Sequence, residues 1–127
     1  MKLYALSFTR IILLSDSIAE VIVNEGVEMN LAMVSQFHEF LLAHLQSPFS
    51  LLINKVNAYS YDFDAQITIG NLTEIHAMAV VAYNQATQIS TTYMLEAIPR
   101  PVAWNLRIYT DREVALNWLQ LEQAQFS

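Results

Sequence analysis

Two apolar runs constrain this chain more than anything else in it: Phe49-Ser50-Leu51-Leu52-Ile53 and Ile75–Tyr83, IHAMAVVAY. A strand with one face in water alternates apolar and polar residues, and the second run does not. It must be covered on both faces, as in a parallel sheet with helices packed against it. Parallel neighbours need a crossover, usually a helix, so helical periodicity should flank both runs.

It does. Leu3–Phe8, Arg10–Leu14 and Ile18–Val23 have β character, and Ser15-Asp16-Ser17 supplies the turn that makes the last two a hairpin. Asn30 is a good N-cap, and Leu31, Val34, Phe37, Leu41 and Leu45 recur at helical spacing until Ser47-Pro48 stops the helix. After Phe49–Asn54, Asp62 or Asp64 can cap a short helix ending at Gly70-Asn71; Ile67-Thr68-Ile69 could form a strand, but a crossover is needed there. Asn84 caps the next helix, with Ala86, Ile89, Tyr93 and Ala97 as one apolar row and Met94 and Ile98 beside it. Trp104–Tyr109 alternates as a last strand. Thr110-Asp111-Arg112-Glu113 then reads as a capping box, with Thr110 the cap and Glu113 reaching back. Trp118-Leu119 marks that helix's core side, and the tail Gln123–Ser127 is expected to fray. The expected fold is α/β: one domain over 1–127, an N-terminal β-hairpin then (αβ)3α, with a mostly parallel sheet of about five strands and about four helices.

Composition removes several functions. The chain has 127 residues, enough for one self-sufficient core, and a net charge of −6 with its six Lys and Arg spread singly. Nucleic-acid binding needs clustered cations, so none is expected. Membrane insertion is not expected either, since the longest apolar run, Ala77–Tyr83, is far too short to span and the Met1-Lys2-Leu3 start lacks a signal-like apolar core. With no cysteine, disulfides, thiolate metal sites and cysteine nucleophiles are excluded, which fits a cytoplasmic protein. Only two glycines, Gly26 and Gly70, rule out phosphate-binding and dinucleotide loops, so no cofactor is expected. His38, His44 and His76 lack metal-ligand spacing, so neither is a metal. Charged residues are only 14% against about 25% in average domains. That points to apolar surface covered by another subunit or a ligand, unless Asn, Gln, Ser and Thr cover it instead.

The chemistry gathers where the first run ends. Lys55, Asn57, Tyr59, Ser60, Tyr61, Asp62 and Asp64 follow it, and Tyr83-Asn84 follow the second run at the same sheet edge. Ligands of open α/β sheets sit outside the C-terminal ends of the strands. These nine residues are the candidate ligand- or partner-binding set, with Lys55 the one cation able to meet an anion. Each also has a plain structural role open to it: Asp62 and Asp64 as caps, the tyrosines as a loop packed over the sheet end. None forms a pair with diagnostic catalytic spacing, so no catalytic residue is assigned.

The order of elements resembles the anti-sigma-factor-antagonist (STAS, SpoIIAA-like) fold, and small STAS/SEC14 domain-containing proteins in particular. Ile18–Gly26, Phe49–Asn54 with Tyr59-Ser60-Tyr61, Ala79–Asn84, and Trp104 with Ile108–Leu119 carry the resemblance. It implies a non-catalytic regulatory or protein-interaction module, acting on a protein partner or as a homodimer. Its SEC14 side implies the alternative, a small-molecule or lipid-binding protein with a small apolar ligand. Signalling members carry an Asp-Ser pair where the helix after the first run begins, and phosphorylation of that Ser repels the partner. Here Asp62 matches the Asp and Phe63 stands in place of the Ser, so the resemblance implies no phosphorylation switch at that position; Ser60 lies two residues out of register.

Overall fold

A computed structural model describes residues 1–126. It is an α/β structure of four helices around a six-stranded, mostly parallel sheet. The strands are β1 (Lys2–Ala5), β2 (Thr9–Leu13), β3 (Ile18–Val23), β4 (Glu28–Met29), β5 (Phe49–Lys55), β6 (Ser60–Tyr61), β7 (Ile75–Ala82) and β8 (Leu106–Tyr109). The helices are α1 (Leu31–His44), α2 (Phe63–Thr68), α3 (Gln85–Ala97) and α4 (Arg112–Ala124). The main sheet runs β1-β2-β3-β5-β7-β8, and β4 and β6 form a separate two-stranded parallel ribbon. The sheet thus has six strands rather than about five: β1 adds to the expected β2–β3 hairpin as a third antiparallel strand.

From β3 onward the strand order advances in one direction across the sheet. Three right-handed crossovers in one direction place their helices on one face. The core follows this rule. Ile11, Val21, Leu51 and Met78 pack with Val34, Phe37, Phe40 and Leu41 of α1 and Ala65 of α2. On the other face, Ile18, Leu52, Ala77, Ala79 and Val81 pack against Ala115, Trp118 and Leu119 of α4. β5 and β7, paired with parallel neighbours on both sides, are the strands that the two apolar runs encode.

The helix starts follow local chemistry. Asn30, Asp62 and Asn84 cap α1, α2 and α3, accepting from Met33 N, Ala65 N and Thr87 N at 2.9, 2.8 and 2.8 Å. At α4 the cap is Asp111, not Thr110: its carboxylate accepts from both Glu113 N (2.8 Å) and Val114 N (3.2 Å). Glu113 does not reach back but pairs with Arg112 at 2.7 Å. A charged acceptor inside the box takes the two orphan amides more strongly than a hydroxyl can. The end of α4 is also firmer than expected. Gln123 is buried, accepts from Ser50 Oγ and donates to Pro48 O at 3.1 Å, which ties the helix to the start of β5. Ser127, the last residue of the tail, lies outside the described residues.

Asp111→Ala should therefore lower stability in urea unfolding by about 1 kcal/mol, whereas Thr110→Ala should change it by a few tenths at most. A larger loss for Thr110→Ala would return the cap to Thr110.

Candidate functional site

The C-terminal ends of β3, β5 and β7 meet at one edge, because parallel register sets Val21 beside Ile53 and Lys55 beside Ala82. The segment 56–62 then folds back over the helix-covered face. Asn57 Nδ2 donates to Val23 O (3.0 Å), Glu25 accepts from Ala58 N, and Ser60 N donates to Val27 O (2.9 Å). These bonds hold Tyr59 and Tyr61 against the core, where both are partly buried.

Beneath them lies a cavity of about 60 Å³. Its floor is apolar, including Phe8, Val21, Leu51 and Met78; its outer rim carries Lys55, Tyr59, Tyr61, Thr91 and Met94. An open groove of about 510 Å³ between the 56–61 segment and α3 shares Lys55, Tyr59, Tyr61 and Met94 with the cavity. Asn57 and Ser60 line the groove as well, with Ile89 and Tyr93 of α3 opposite. A void of this size forgoes roughly 1–2 kcal/mol of packing.

α3 explains the void. Its one buried residue is Thr91, and Ile89 and Tyr93 of the expected apolar row are 61% and 64% exposed. The helix turns Thr87, Thr91, Met94 and Ile98 toward the protein instead, a row with equally good helical spacing. Thr87 and Thr91 reach less far than Ile89 and Tyr93 would, and the space beside Thr91 stays open.

Lys55 sits at the junction of cavity and groove. Its Nζ donates to Thr91 Oγ1 at 3.1 Å and lies 5.6 Å from the Tyr59 ring centroid. Thr91 gives its own proton to Thr87 O at 2.8 Å, leaving a lone pair for the lysine. Among the described residues no carboxylate comes within ion-pair distance of Lys55. Burial pushes its pKa down to about 8, so it is predominantly charged at neutral pH. Tyr61 Oη donates to Tyr59 Oη at 3.3 Å, and burial holds both phenols above their ordinary pKa.

The far wall is Trp104, and Gly70 places it. Gly70 has φ +74°, accepts from Trp104 Nε1 at 3.0 Å and donates to His38 Nε2 at 3.1 Å. A Cβ there would stand 2.9 Å from the Trp104 ring. Arg100 stacks over that ring at 3.6 Å and donates to Ile69 O.

The other candidates separate. Asp62 is a helix cap, Asp64 is exposed in the first turn of α2, and neither lines the cavity or the groove. Asn84 is the cap of α3. Tyr83 turns to the opposite face, donating to Asn54 Oδ1 at 2.8 Å, because Asn54 and Lys55 are adjacent in a strand and point opposite ways. There Asn54 Nδ2 donates to Glu20 at 2.8 Å, and Arg112 grips both Glu20 oxygens at 2.9 and 2.7 Å. Burial alone would raise the Glu20 carboxyl; the Arg112 and Asn54 hydrogen bonds and the Arg112 and Arg10 charges hold it below the usual range. The candidate set had no residue from this network except Tyr83, and it had neither Thr91 nor Met94.

Comparison of the chain with protein-family models, with curated proteins and with solved structures gave no significant match. No helix among the described residues is long and apolar enough to cross a membrane.

Arg112→Met strands the buried Glu20 carboxylate and should cost roughly 3 kcal/mol at neutral pH. In the native chain the folded-state pKa of Glu20 is depressed, so its contribution is full above pH 4.5 and is lost as pH falls through the folded value. In the variant, burial dominates and raises that pKa, so its deficit should shrink on acidification. Urea midpoints from neutral to acid pH check this; a deficit that stays constant would mean that Glu20 titrates alike in both proteins.

Proposed function

We propose that this chain is a non-catalytic binding domain of STAS type, and that the edge formed by Lys55–Tyr61 and α3 takes a small, apolar-bodied molecule. The observation that carries the reading is the continuity of an apolar cavity with an open groove, at a sheet edge where α/β domains bind ligands. The cavity has the sidedness of a binding site: apolar floor, polar rim, one approach. The absence of a diagnostic catalytic pair in the sequence supports binding over catalysis.

A second reading, docking of a protein partner as the STAS resemblance implies, is favoured by Phe63. It stands 74% exposed as the first residue of α2, where signalling members carry their phosphorylated Ser. Exposed Ile89 and Tyr93 on α3 would extend that surface.

The two readings separate on two variants. An environment-sensitive apolar dye should bind the native chain saturably, at one site. Met94→Trp, which fills the junction of groove and cavity, should weaken it about tenfold or more. Phe63→Ala should leave dye binding unchanged. Dye binding insensitive to Met94→Trp would remove the cavity from the reading.

A further inference from the structure

We infer that the molecule taken at this edge is a carboxylic acid with an apolar body, its carboxylate held by Lys55, Tyr59 and Tyr61 and its body in the cavity over β5 and β7. This rests on the binding reading above and narrows it to a ligand class.

Free donors outnumber free acceptors among the groups that would hold the ligand's head. Lys55 has three N–H donors, and one of them is committed, to Thr91. The two phenols share a single hydrogen bond between them. Whichever way it runs, one phenolic proton has no acceptor among the described residues. The rim therefore presents two ammonium protons and one phenolic proton, while the hydroxyl oxygens of Thr91 and Tyr59 each already accept one hydrogen bond and none of its side chains carries a negative charge. A ligand that completes this rim brings acceptors and negative charge. An ammonium in a partly apolar setting without a counter-ion is costly, and a charge-assisted pair offsets that cost.

Size and charge narrow the class. Lys55 is the one cation among the residues lining the cavity, which suits a monoanion better than a phosphate dianion, for which the sequence has neither a glycine-rich loop nor a run of basic residues. By the same measure that needs roughly 10–15 Å³ for one water, the cavity holds about four water-sized groups. A short alkyl chain or one small ring fits, with the groove free to hold anything longer.

The test is calorimetric titration of the full chain with hexanoate, hexanamide, hexylamine and inorganic phosphate, and of the Lys55→Met variant with the first two. Met keeps the stem length and removes the charge, and the melting temperature of the variant checks that it folds. Hexanoate should bind native protein about tenfold or more tighter than hexanamide, with no binding of hexylamine or phosphate. In Lys55→Met the acid's advantage should vanish while the amide still binds. Equal affinity for acid and amide would overturn the carboxylate inference and leave the binding reading standing. Phosphate matching hexanoate would overturn the need for an apolar body. An acid preference that survives Lys55→Met would overturn the role of Lys55. No binding of any of the four would overturn the inference together with the reading beneath it.

Discussion

The architecture depends on one topological constraint, the single direction in which strand order advances from β3 to β8. Right-handed crossovers then put α1, α2 and α3 on one face and leave only α4, which follows the last strand, for the other. The two faces acquire different characters. α4 lays Ala115, Trp118 and Leu119 directly on β5 and β7, while its last turn is fixed through Gln123 to Ser50 and Pro48. On the crowded face α1 fills the space over β2, β3 and β5. α3 arrives beside it with the short side chains of Thr87 and Thr91 on its inner row. The cavity is what remains between a helix that must lie over the sheet and side chains too short to fill the gap.

The polar network around Glu20 spans that edge. Parallel strands are joined by slanted hydrogen bonds and end without turns to clamp them. Here Glu20 on β3, Asn54 on β5, Tyr83 after β7 and Arg112 on α4 form a continuous chain of hydrogen bonds across the strand ends. The charged bond is bidentate, the more specific form of an Arg–carboxylate pair. Because side chains alternate, a network on one face fixes the backbone that carries Lys55 on the other. The division of the tyrosines follows: Tyr83 belongs to the support, Tyr59 and Tyr61 to the rim.

Much of the fold was legible because it rests on local signals. The caps Asn30 and Asn84, the hairpin, both buried parallel strands and the α1 row from Val34 onward follow from residue type and spacing alone; residue type left Asp62 and Asp64 both open as the α2 cap, and Leu31, the first residue of the expected α1 row, is exposed. The facing of α3 was not legible in this way. Ala86, Ile89, Tyr93 and Ala97 carry more apolar area than Thr87, Thr91, Met94 and Ile98, and hydrophobicity alone selects the first row. In the structure the second faces inward, with Thr91 buried. The α4 cap failed for a related reason: the Thr110–Glu113 spacing matched a motif, while the stronger acceptor, Asp111, stood one residue along. Of the candidate site, Lys55, Asn57, Tyr59, Ser60 and Tyr61 could be gathered from strand direction. The significance of Lys55 could not, since it lies in the distance of every carboxylate, a property of the folded arrangement and not of the neighbouring sequence.

That isolation also bears on why the void and the cation persist together. Either could be removed by a single substitution: a larger residue at Thr91 or Met94 to fill space, or an apolar one at Lys55 to end the desolvation cost. Each feature alone is a small loss that a domain of this size tolerates. Their coincidence at one point is less easily assigned to packing, because a lysine beside a void has an escape that core residues lack. Its stem could extend into the groove and leave the ammonium fully hydrated. Instead Nζ is turned inward, held by a hydroxyl whose proton is committed to the α3 backbone. The helix that leaves the cavity open is thus the same element that orients the cation at its mouth.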